Sequence, residues 1–236
     1  MERETTMMDP KAHYTGHTGR SYFGRKFSGN MDLGRKYQSR YFQPFCNPEK
    51  VLLDFGCGDG TLVRELPALK TYGVEINPTC RDKINAMNRT HDRQIEVFAS
   101  IDEIKGNSVD VTISNHCLEH VSNPLEILLE IRRVLRNGGE LAMVVPFDDW
   151  RQKGQKRWRE DDMEKHLFTW SPQNLGNLLS AAGLEVKTVR LCSTAWSPKL
   201  FWIHRLAGKR MFSTACRLFA LVKQRREVFS LSYAYK

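Results

Sequence analysis

The sequence lacks the features that mark membrane, secreted and zinc-ribbon proteins. No apolar run approaches the roughly 20 residues of a membrane-spanning helix, and the first residues, MERETTMMDPK, contain no apolar signal-peptide core. The six cysteines have no CxxC spacing, so we expect no zinc ribbon and no disulfide framework, but a protein of the reducing cytoplasm. The 236 residues, 41% hydrophobic and 27% charged, predict a globular chain with a substantial core.

Acidic residues are scarce near both ends of the chain. Residues 1–50 contain nine Lys or Arg and five Asp or Glu, a net charge of +4. Residues 192–236 contain nine Lys or Arg and a single acid, Glu227, a net charge of +8, which leaves −3 for residues 51–191. Basic ends around a mildly acidic centre indicate an anionic partner. A solvated basic surface with no specific partner explains the charge equally well.

Strand and helix patterns alternate along the chain. Strands are predicted at 51–55, 72–75, 95–98, 109–114, 140–145 and 184–191, and a last one in VFSLSYAYK. Helices are predicted at 61–69, 78–88, 124–136 and 171–182, with a helix-like piece at 32–45. Asn123 and Ser171 are expected to cap two helices, and Gly138-Gly139 to end the one at 124–136. This alternation predicts an α/β fold, a parallel sheet with helices on both faces.

A glycine-rich loop, DFGCGDG at residues 54–60, follows the first predicted strand. Open α/β sheets bind ligands at the carboxyl ends of their strands, and glycine lets the backbone pass close to a ligand. The loop lacks the spacing and the lysine of a phosphate-binding loop, and Asp54 and Asp59 would repel a pyrophosphate. They would accept a ligand with an amine and hydroxyls. Glu75 ends the second strand, 21 residues after Asp54, where a carboxylate accepts hydrogen bonds from two ribose hydroxyls.

Four segments together resemble the class I S-adenosylmethionine-dependent methyltransferases. They are DFGCGDG, VEIN at 74–77, NHCLEHV at 115–121 and LRNGGELAMVVP at 135–146. The resemblance covers residues 51–191 and the last strand. It implies a Rossmann-like, doubly wound sheet, mostly parallel with an antiparallel last strand, and S-adenosyl-L-methionine as cofactor.

The resemblance also implies a set of cofactor contacts. The methionine part of the cofactor would lie against Gly56, Cys57, Gly58 and Gly60, with Asp54 supporting the loop or the amino group. The ribose would contact Glu75, Ile76 and Asn77, and the adenine would contact Ser100 and Ile101. Asn115 would face the cofactor pocket. The family often has an acid beside the adenine amine, where this chain has Ser100. Asp102 is the alternative contact there.

Candidate catalytic residues follow the fourth predicted strand. If residues 116–120 form one helical turn, His116, Glu119 and His120 lie on one face, beside the expected position of the methyl acceptor. The motif is similar to the ExxEH of ubiquinone-pathway O-methyltransferases and of small-RNA 3′-end ribose methyltransferases. The latter add a later His before Phe-x-Trp, here His166. His116 replaces the first Glu of that motif.

Two chemical interpretations of these residues remain open. Together with His166 they could hold a divalent metal that lowers the pKa of a hydroxyl, and two imidazoles would favour zinc over magnesium. We favour the metal-free interpretation, in which His120 is the general base or the set has a packing role.

The ends of the chain are expected to build the acceptor pocket, so we divide the chain into an N-terminal segment 1–50, a core 51–191 and a C-terminal segment 192–236. The candidate lid residues are Tyr14, Arg20, Tyr22, Phe23, Arg25 and Lys26. Residues 196–227 combine aromatic and basic residues, which fits a partner or dimer helix, a membrane-surface helix or a nucleic-acid patch. Core packing explains the apolar side of this segment equally well.

Three functions are therefore distinguished. The first is methyl transfer to a hydroxyl, with an amine less favoured, of a small molecule or a glycan, including a lipid-linked one. The second is a metal-dependent RNA ribose methyltransferase, and the third is a non-catalytic scaffold. The first is the expected function, in the cytoplasm or at a membrane surface, with the oligomeric state open.

Overall fold

The computed structural model describes residues 10–26, 29–147, 157–159, 162, 164–192, 196–223 and 226–235. Its strands are β1 Val51–Phe55, β2 Lys70–Val74, β3 Glu96–Phe98, β4 Val109–Asn115, β5 Leu135–Pro146, β6 Glu185–Cys192 and β7 Glu227–Ala234. They form one sheet in the order β3-β2-β1-β4-β5-β7-β6, in which β7 runs antiparallel to both of its neighbours and the pairs among β1 to β5 are parallel. The predicted fold class is confirmed.

The described residues contain seven α-helices. They are α1 Pro10–Thr15, α2 His17–Lys26, α3 Gly29–Gln38, α4 Pro78–Asn88, α5 Pro124–Val134, α6 Pro172–Ala181 and α7 Phe201–Lys223. The side chains of Asn77, Asn123 and Ser171 accept a hydrogen bond from a backbone N–H in the first turn of α4, α5 and α6, and a proline follows each of these caps.

Both faces of the sheet are covered by helices. Side chains alternate between the faces of a strand, so that Leu53 of β1 packs with Leu128 of α5 and Leu175 of α6. Its neighbour Leu52 belongs to the core of the opposite face, together with Ile84 of α4. All five side chains are almost completely buried. These two cores hold in place the carboxyl ends of β1, β2 and β4.

The helix predicted at 61–69 is wrong, because only a 3₁₀ turn, Val63–Glu65, forms there. Leu66 has an extended backbone, with φ −103° and ψ 135°. It precedes a proline, and the residue before a proline is disfavoured in a helix. The glycine-rich loop is therefore not followed by an α-helical N-terminus, and its own backbone must supply the N–H donors for a ligand.

Two other helix boundaries differ from the prediction. Helix α5 ends at Val134, because Leu135 turns to φ −65° and ψ 142° and pairs with Val109 of β4. The glycines at 138 and 139 consequently lie within β5. The helix-like piece at 32–45 consists of the end of α3 and two 3₁₀ turns.

The C-terminal segment contains α7 and β7. Among the described residues, no helix combines the length and the apolar character needed to cross a bilayer.

Candidate active site

A cavity of about 500 Å³ opens at the carboxyl ends of the parallel strands. Gly56 follows β1, Glu75 and Ile76 follow β2, and His116 and His120 follow β4; all five line the cavity. Its volume lies in the range of small-molecule and cofactor sites. The sheet therefore brings one group of candidate cofactor contacts and one group of candidate catalytic residues to a single cavity.

The glycine-rich loop takes a conformation that side chains would oppose. Gly56 and Gly58 have φ of 79° and 56°, the left-handed region that favours glycine. A Cβ atom on Gly56 would lie 2.4 Å from Sγ of Cys117. Gly58 then donates its backbone N–H to Oε2 of Glu75 at 2.9 Å, and Asn77 donates to Oε1 at 2.8 Å. The loop thus fixes the carboxylate of Glu75 at the cavity wall.

Two buried carboxyl groups, Asp54 and Glu75, lie close enough in this part of the site for each to resist ionisation of the other. Burial and then the charge of Glu75 raise the pKa of Asp54 to about 8. Burial also raises the pKa of Glu75, against the hydrogen bonds from Asn77 and Gly58. A ligand with a positive amine and a sulfonium would favour the ionised forms of these carboxyl groups, so the residues fit S-adenosylmethionine.

The cofactor residues named from the sequence fall into two groups. Five of them line the cavity, namely Gly56, Glu75, Ile76, Ser100 and Ile101. The lining does not include Asp54, Cys57, Gly58, Gly60, Asn77 or Asn115. Most of this second group is buried around the loop, and Asn77 is completely buried, caps α4 and donates to the carbonyl of Tyr14 at 2.5 Å.

Two of the named residues have other partners than expected. The amide of Asn115 donates to Gln38 at 3.2 Å, so its side chain contacts α3. Ser100 caps the 3₁₀ turn Ile101–Glu103, and its hydroxyl lies 3.1 Å from Asp102, which is exposed. The adenine contact predicted for Ser100 or Asp102 stays a prediction.

Residues 116–120 do not form one helical turn, the condition on which the sequence placed His116, Glu119 and His120 on one face. Only Leu118–His120 form a 3₁₀ turn, and His116 has φ 52° because β4 continues to Asn115 and the N–H of His116 bonds to the carbonyl of Val144. The ring of His116 instead reaches Glu227 of β7, with Nε2 3.1 Å from Oε1. Its Nδ1 lies 3.5 Å from Oε1 of Glu119.

His116 is a cation between two buried carboxylates. Burial lowers its pKa, but the hydrogen bonds with Glu119 and Glu227 outweigh burial and raise the pKa to about 10. Burial raises the pKa of Glu119, but His116, His120 and His166 together lower it to about 2. His116 therefore already carries its proton at neutral pH and is unsuited to accept another as a general base. This arrangement argues against His116 as the general base.

His120 is held from the opposite side by the N-terminal segment. The hydroxyl of Tyr14 donates to the carbonyl oxygen of Glu164 at 2.7 Å and lies 2.8 Å from Nδ1 of His120. Since the hydroxyl has one proton and a carbonyl can only accept, Nδ1 of His120 is the donor in the second bond. This tautomer leaves Nε2 as the atom that takes up a proton or a metal; it lies 3.8 Å from Oε1 of Glu119.

His166 joins this group although it lies 46 residues after His120. The rings of the two histidines are 4.7 Å apart, and the N–H of Leu167 bonds to the carbonyl of Glu119 at 2.8 Å. One ligand atom each of Glu119, His120 and His166 lie within 4.8 Å of one another. Oε2 of Glu119 is buried and has no hydrogen-bond partner among the described residues, which fits a cation at this point.

Sequence reasoning missed Glu227 as a site residue. Its only local signal was that it is the single acid of residues 192–236. Of the candidate lid residues, Tyr14 and Phe23 line the cavity and Arg20 is exposed. The side chains of Tyr22, Arg25 and Lys26 lie outside the described part of the structure.

The fold is that of the class I S-adenosylmethionine-dependent methyltransferases, whose cofactor is S-adenosylmethionine. A family model described as a methyltransferase domain matches residues 32–189. Since the match covers most of the chain, the chain belongs to this methyltransferase-domain family.

Curated relatives match part of the chain. The ribosomal protein L11 methyltransferase of Vibrio cholerae serotype O1 is 33% identical over 118 residues, which are 48% of this chain and 39% of the relative. The uncharacterized protein MJ0638 of Methanocaldococcus jannaschii is 33% identical over 101 residues, 42% of each chain. The chain thus spans well under two thirds of the length of these relatives.

Solved structures share the fold at low identity. A chain of the complex between the Haloferax volcanii Trm112 methyltransferase activator and a methyltransferase has 17% identity and a TM-score of 0.64, over 98% of this chain and 100% of that one. The Haemonchus contortus phosphoethanolamine N-methyltransferase 2, with phosphomonomethylethanolamine and S-adenosylhomocysteine, has 13% identity and a TM-score of 0.64, over 98% and 61%.

We predict that Glu75→Gln weakens binding of S-adenosylhomocysteine by about tenfold or more. The glutamine side chain has one oxygen, so its NH₂ group would face the backbone N–H of either Gly58 or Asn77 and one hydrogen bond would be lost. A hydrogen bond to a charged group contributes about 1.5–3 kcal/mol. Isothermal titration calorimetry measures the affinity, and circular dichroism checks the fold. Asp82→Asn, which changes an exposed acid of α4, is the matched control. Equal affinity of the Glu75 variant and the wild type would refute the ribose assignment.

The charge of His116 predicts a pH-dependent stability. Its folded-state pKa of about 10 lies above the ordinary histidine value of 6.5, so its stabilising contribution is fully present below about pH 6.5 and is lost as the pH rises towards 10. The difference in unfolding free energy between wild type and His116→Gln should therefore shrink over this range, as measured by urea denaturation. His91→Gln removes an exposed imidazole and is the control. A difference that stays constant from pH 6.5 to 10 would contradict the buried ion pair.

Proposed function

We propose that the protein transfers a methyl group from S-adenosylmethionine to a hydroxyl of a small molecule or a glycan, with His120 as general base. The observation that supports this most is the orientation of His120 at the cavity wall. Its Nδ1 is engaged by Tyr14, so the basic atom is Nε2. We place the activity in the cytoplasm, in keeping with the free cysteines.

The chain has two tasks in this reaction. When bound, S-adenosylmethionine supplies a methyl group that its sulfonium charge already activates, so the protein mainly orients the acceptor in line and close. A hydroxyl has a high pKa, and its proton must leave as the oxygen gains the methyl group. Nε2 of His120 takes up this proton in the proposal.

The neighbours of His120 suit it to this role. Glu119 is almost completely buried, and a low pKa keeps it ionised. At 3.8 Å from Nε2 it is beyond hydrogen-bond distance but stabilises the imidazolium that forms when His120 accepts a proton. Tyr14 holds the ring, and burial raises the pKa of its hydroxyl, which therefore stays neutral. The arrangement follows the logic of a base that is oriented on one side and charge-stabilised on the other.

The cavity favours a hydroxyl of a small molecule or a sugar as the methyl acceptor. An amine acceptor can lose its proton to solvent before transfer, whereas a hydroxyl needs a base in the site. Phe23, Val121 and Ile127 contribute apolar surface to the cavity, and Ser122 and Asn123 contribute polar groups. This mixture suits a small molecule or a sugar. Similar proteins include both a ribosomal protein methyltransferase and small-molecule methyltransferases, so similarity does not choose between these acceptor classes.

His120→Gln should lower kcat by about 100-fold while the affinity for S-adenosylhomocysteine stays unchanged, because general-base catalysis typically contributes 100-fold or more. Tyr14→Phe should lower kcat less, since the base remains but its ring is no longer held. The assay uses cofactor labelled in its methyl group with an extract from cells that lack the gene, separated into RNA, lipid, glycan, protein and small molecules. His91→Gln is the control. Unchanged turnover of His120→Gln would remove the base assignment.

A metal-dependent RNA ribose methyltransferase is the second candidate function. The convergence of Glu119, His120 and His166 favours it, and so does the basic charge of both ends of the chain. His116 does not complete the set, because it pairs with Glu227. One carboxylate and two imidazoles would favour zinc, manganese or iron over magnesium.

We expect protein that has been stripped of metal with a chelator to take up less than one equivalent of zinc or manganese, because His120 acts as a general base without a metal in our proposal. Metal content after dialysis against each ion is measured by mass spectrometry, together with the label recovered in RNA. One equivalent of metal in the wild type that His166→Gln loses, with label in RNA, would establish the second function in place of the first. His204→Gln, outside the cluster, is the control for metal content.

A further inference from the structure

Within the described part of the chain, helix α7 packs against the other elements through one side. Phe212 and Cys216 are completely buried, and they pack with Tyr37 of α3. The hydroxyl of Tyr37 also donates to the carbonyl of Ser213 at 3.3 Å. The residues at 212, 216 and 220 form the buried stripe expected of a helix that packs along one face.

The opposite side of α7 is apolar and exposed. Six of the thirteen large hydrophobic side chains that are exposed in the described part of the chain belong to this helix. They are Trp202, Leu206, Met211, Leu218, Leu221 and Val222, with exposed fractions of 59%, 80%, 55%, 60%, 63% and 79%. So much exposed apolar surface on one helix indicates an interaction site.

Four of these side chains, Met211, Leu218, Leu221 and Val222, lie in the second half of the helix. Gly208, with φ 76°, separates the first turns from the rest. After it, Met211, Leu218 and Val222 follow at i, i+7 and i+11, which places them on one stripe. Arg210 and Arg217 each precede a residue of this stripe, so they flank it. We call Arg210, Met211, Arg217, Leu218, Leu221 and Val222 the α7 outer face.

The charge of α7 has one sign. Between Phe201 and Lys223 the sequence contains five Lys or Arg and no Asp or Glu. An amphipathic helix with exposed Leu and Trp beside Lys and Arg is the type that lies in the headgroup region of anionic membranes. Its apolar side chains reach the acyl chains while the cations pair with acidic headgroups.

We propose that the α7 outer face docks the protein on an anionic lipid surface. A second copy of the chain fits this face less well, because a two-fold contact would set Arg210 and Arg217 against the same arginines of the partner with no acid on the helix to pair them. RNA fits less well, because aliphatic side chains such as Leu218, Leu221 and Val222 gain nothing from a hydrated phosphate backbone. A lipid surface matches both the apolar and the cationic parts.

Vesicle sedimentation of the purified full chain tests the proposal without any assumption about the methyl acceptor. We expect binding to phosphatidylcholine vesicles that contain about one third phosphatidylglycerol, at least tenfold weaker binding to phosphatidylcholine alone, and weaker binding as salt is raised. A blue shift of the tryptophan fluorescence should accompany binding. Equal binding to both vesicles, or none to either, overturns the proposal.

Paired variants separate the two parts of the face. Arg210→Gln/Arg217→Gln should weaken vesicle binding by about 25-fold, since each cation near an anionic surface contributes about fivefold. Leu218→Gln/Leu221→Gln should weaken it by about tenfold or more. Lys83→Gln/Arg89→Gln and Leu69→Gln change exposed cations and an exposed leucine elsewhere, and these controls should bind like the wild type. Circular dichroism confirms that each variant folds.

Three other results would overturn the proposal. The first is a loss of binding in the controls equal to that in the α7 variants. The second is a dimer, seen by light scattering, that the leucine variant dissociates while vesicles do not bind. The third is binding of single-stranded RNA that depends on Arg210 and Arg217 with no binding to anionic vesicles.

Discussion

The ion pairs of the His116 imidazolium with the carboxylates of Glu119 and Glu227 hold together the side of the cavity that contains His120. They join the end of β4 to β7, and Glu227 also accepts hydrogen bonds from Tyr41 at 2.8 Å and from Gln38. A set of this kind is favourable only when complete, because removal of one partner leaves a buried charge that costs about 3–5 kcal/mol. The orientation of Glu119, and through it the charge beside His120, thus rests on a residue of a distant strand.

The other half of the cavity is built locally. Gly58, Glu75 and Asn77 come from two consecutive connections, after β1 and after β2, and they hold one another through backbone hydrogen bonds. The two halves meet where Asn77 donates to the carbonyl of Tyr14, whose hydroxyl contacts His120. Through Tyr14, the N-terminal helix α1 therefore contacts both Asn77, beside the glycine-rich loop, and His120, and it links the positions of these two residues.

The structural features that could be predicted from the sequence are those that depend on short stretches of chain. The fold class follows from alternating patterns, and caps such as Asn123 and Ser171 act within one turn, so they were predictable. The helix at 61–69 was predicted wrongly because its apolar spacing was followed, although Pro67 in the sequence disfavours a helical Leu66. The position of His116 was also out of reach, since it is set by Glu227, 111 residues away, and no local pattern encodes that pairing. The convergence of His120 and His166 was expected from a motif, but only the fold brings Tyr14 to the same ring.

The place of β7 has a consequence for biosynthesis. This strand comes last in the described chain, yet it lies between β5 and β6 in the sheet. While the chain emerges from the ribosome, β5 and β6 have no bridging strand, and each presents an unpaired edge that can recruit a strand of another molecule. Glu119 and His116 also await their partner until residue 227 has been added. The nascent protein is thus most exposed to aggregation just before β7 is added, and its yield in a cell will depend on how quickly β7 pairs with β5 and β6.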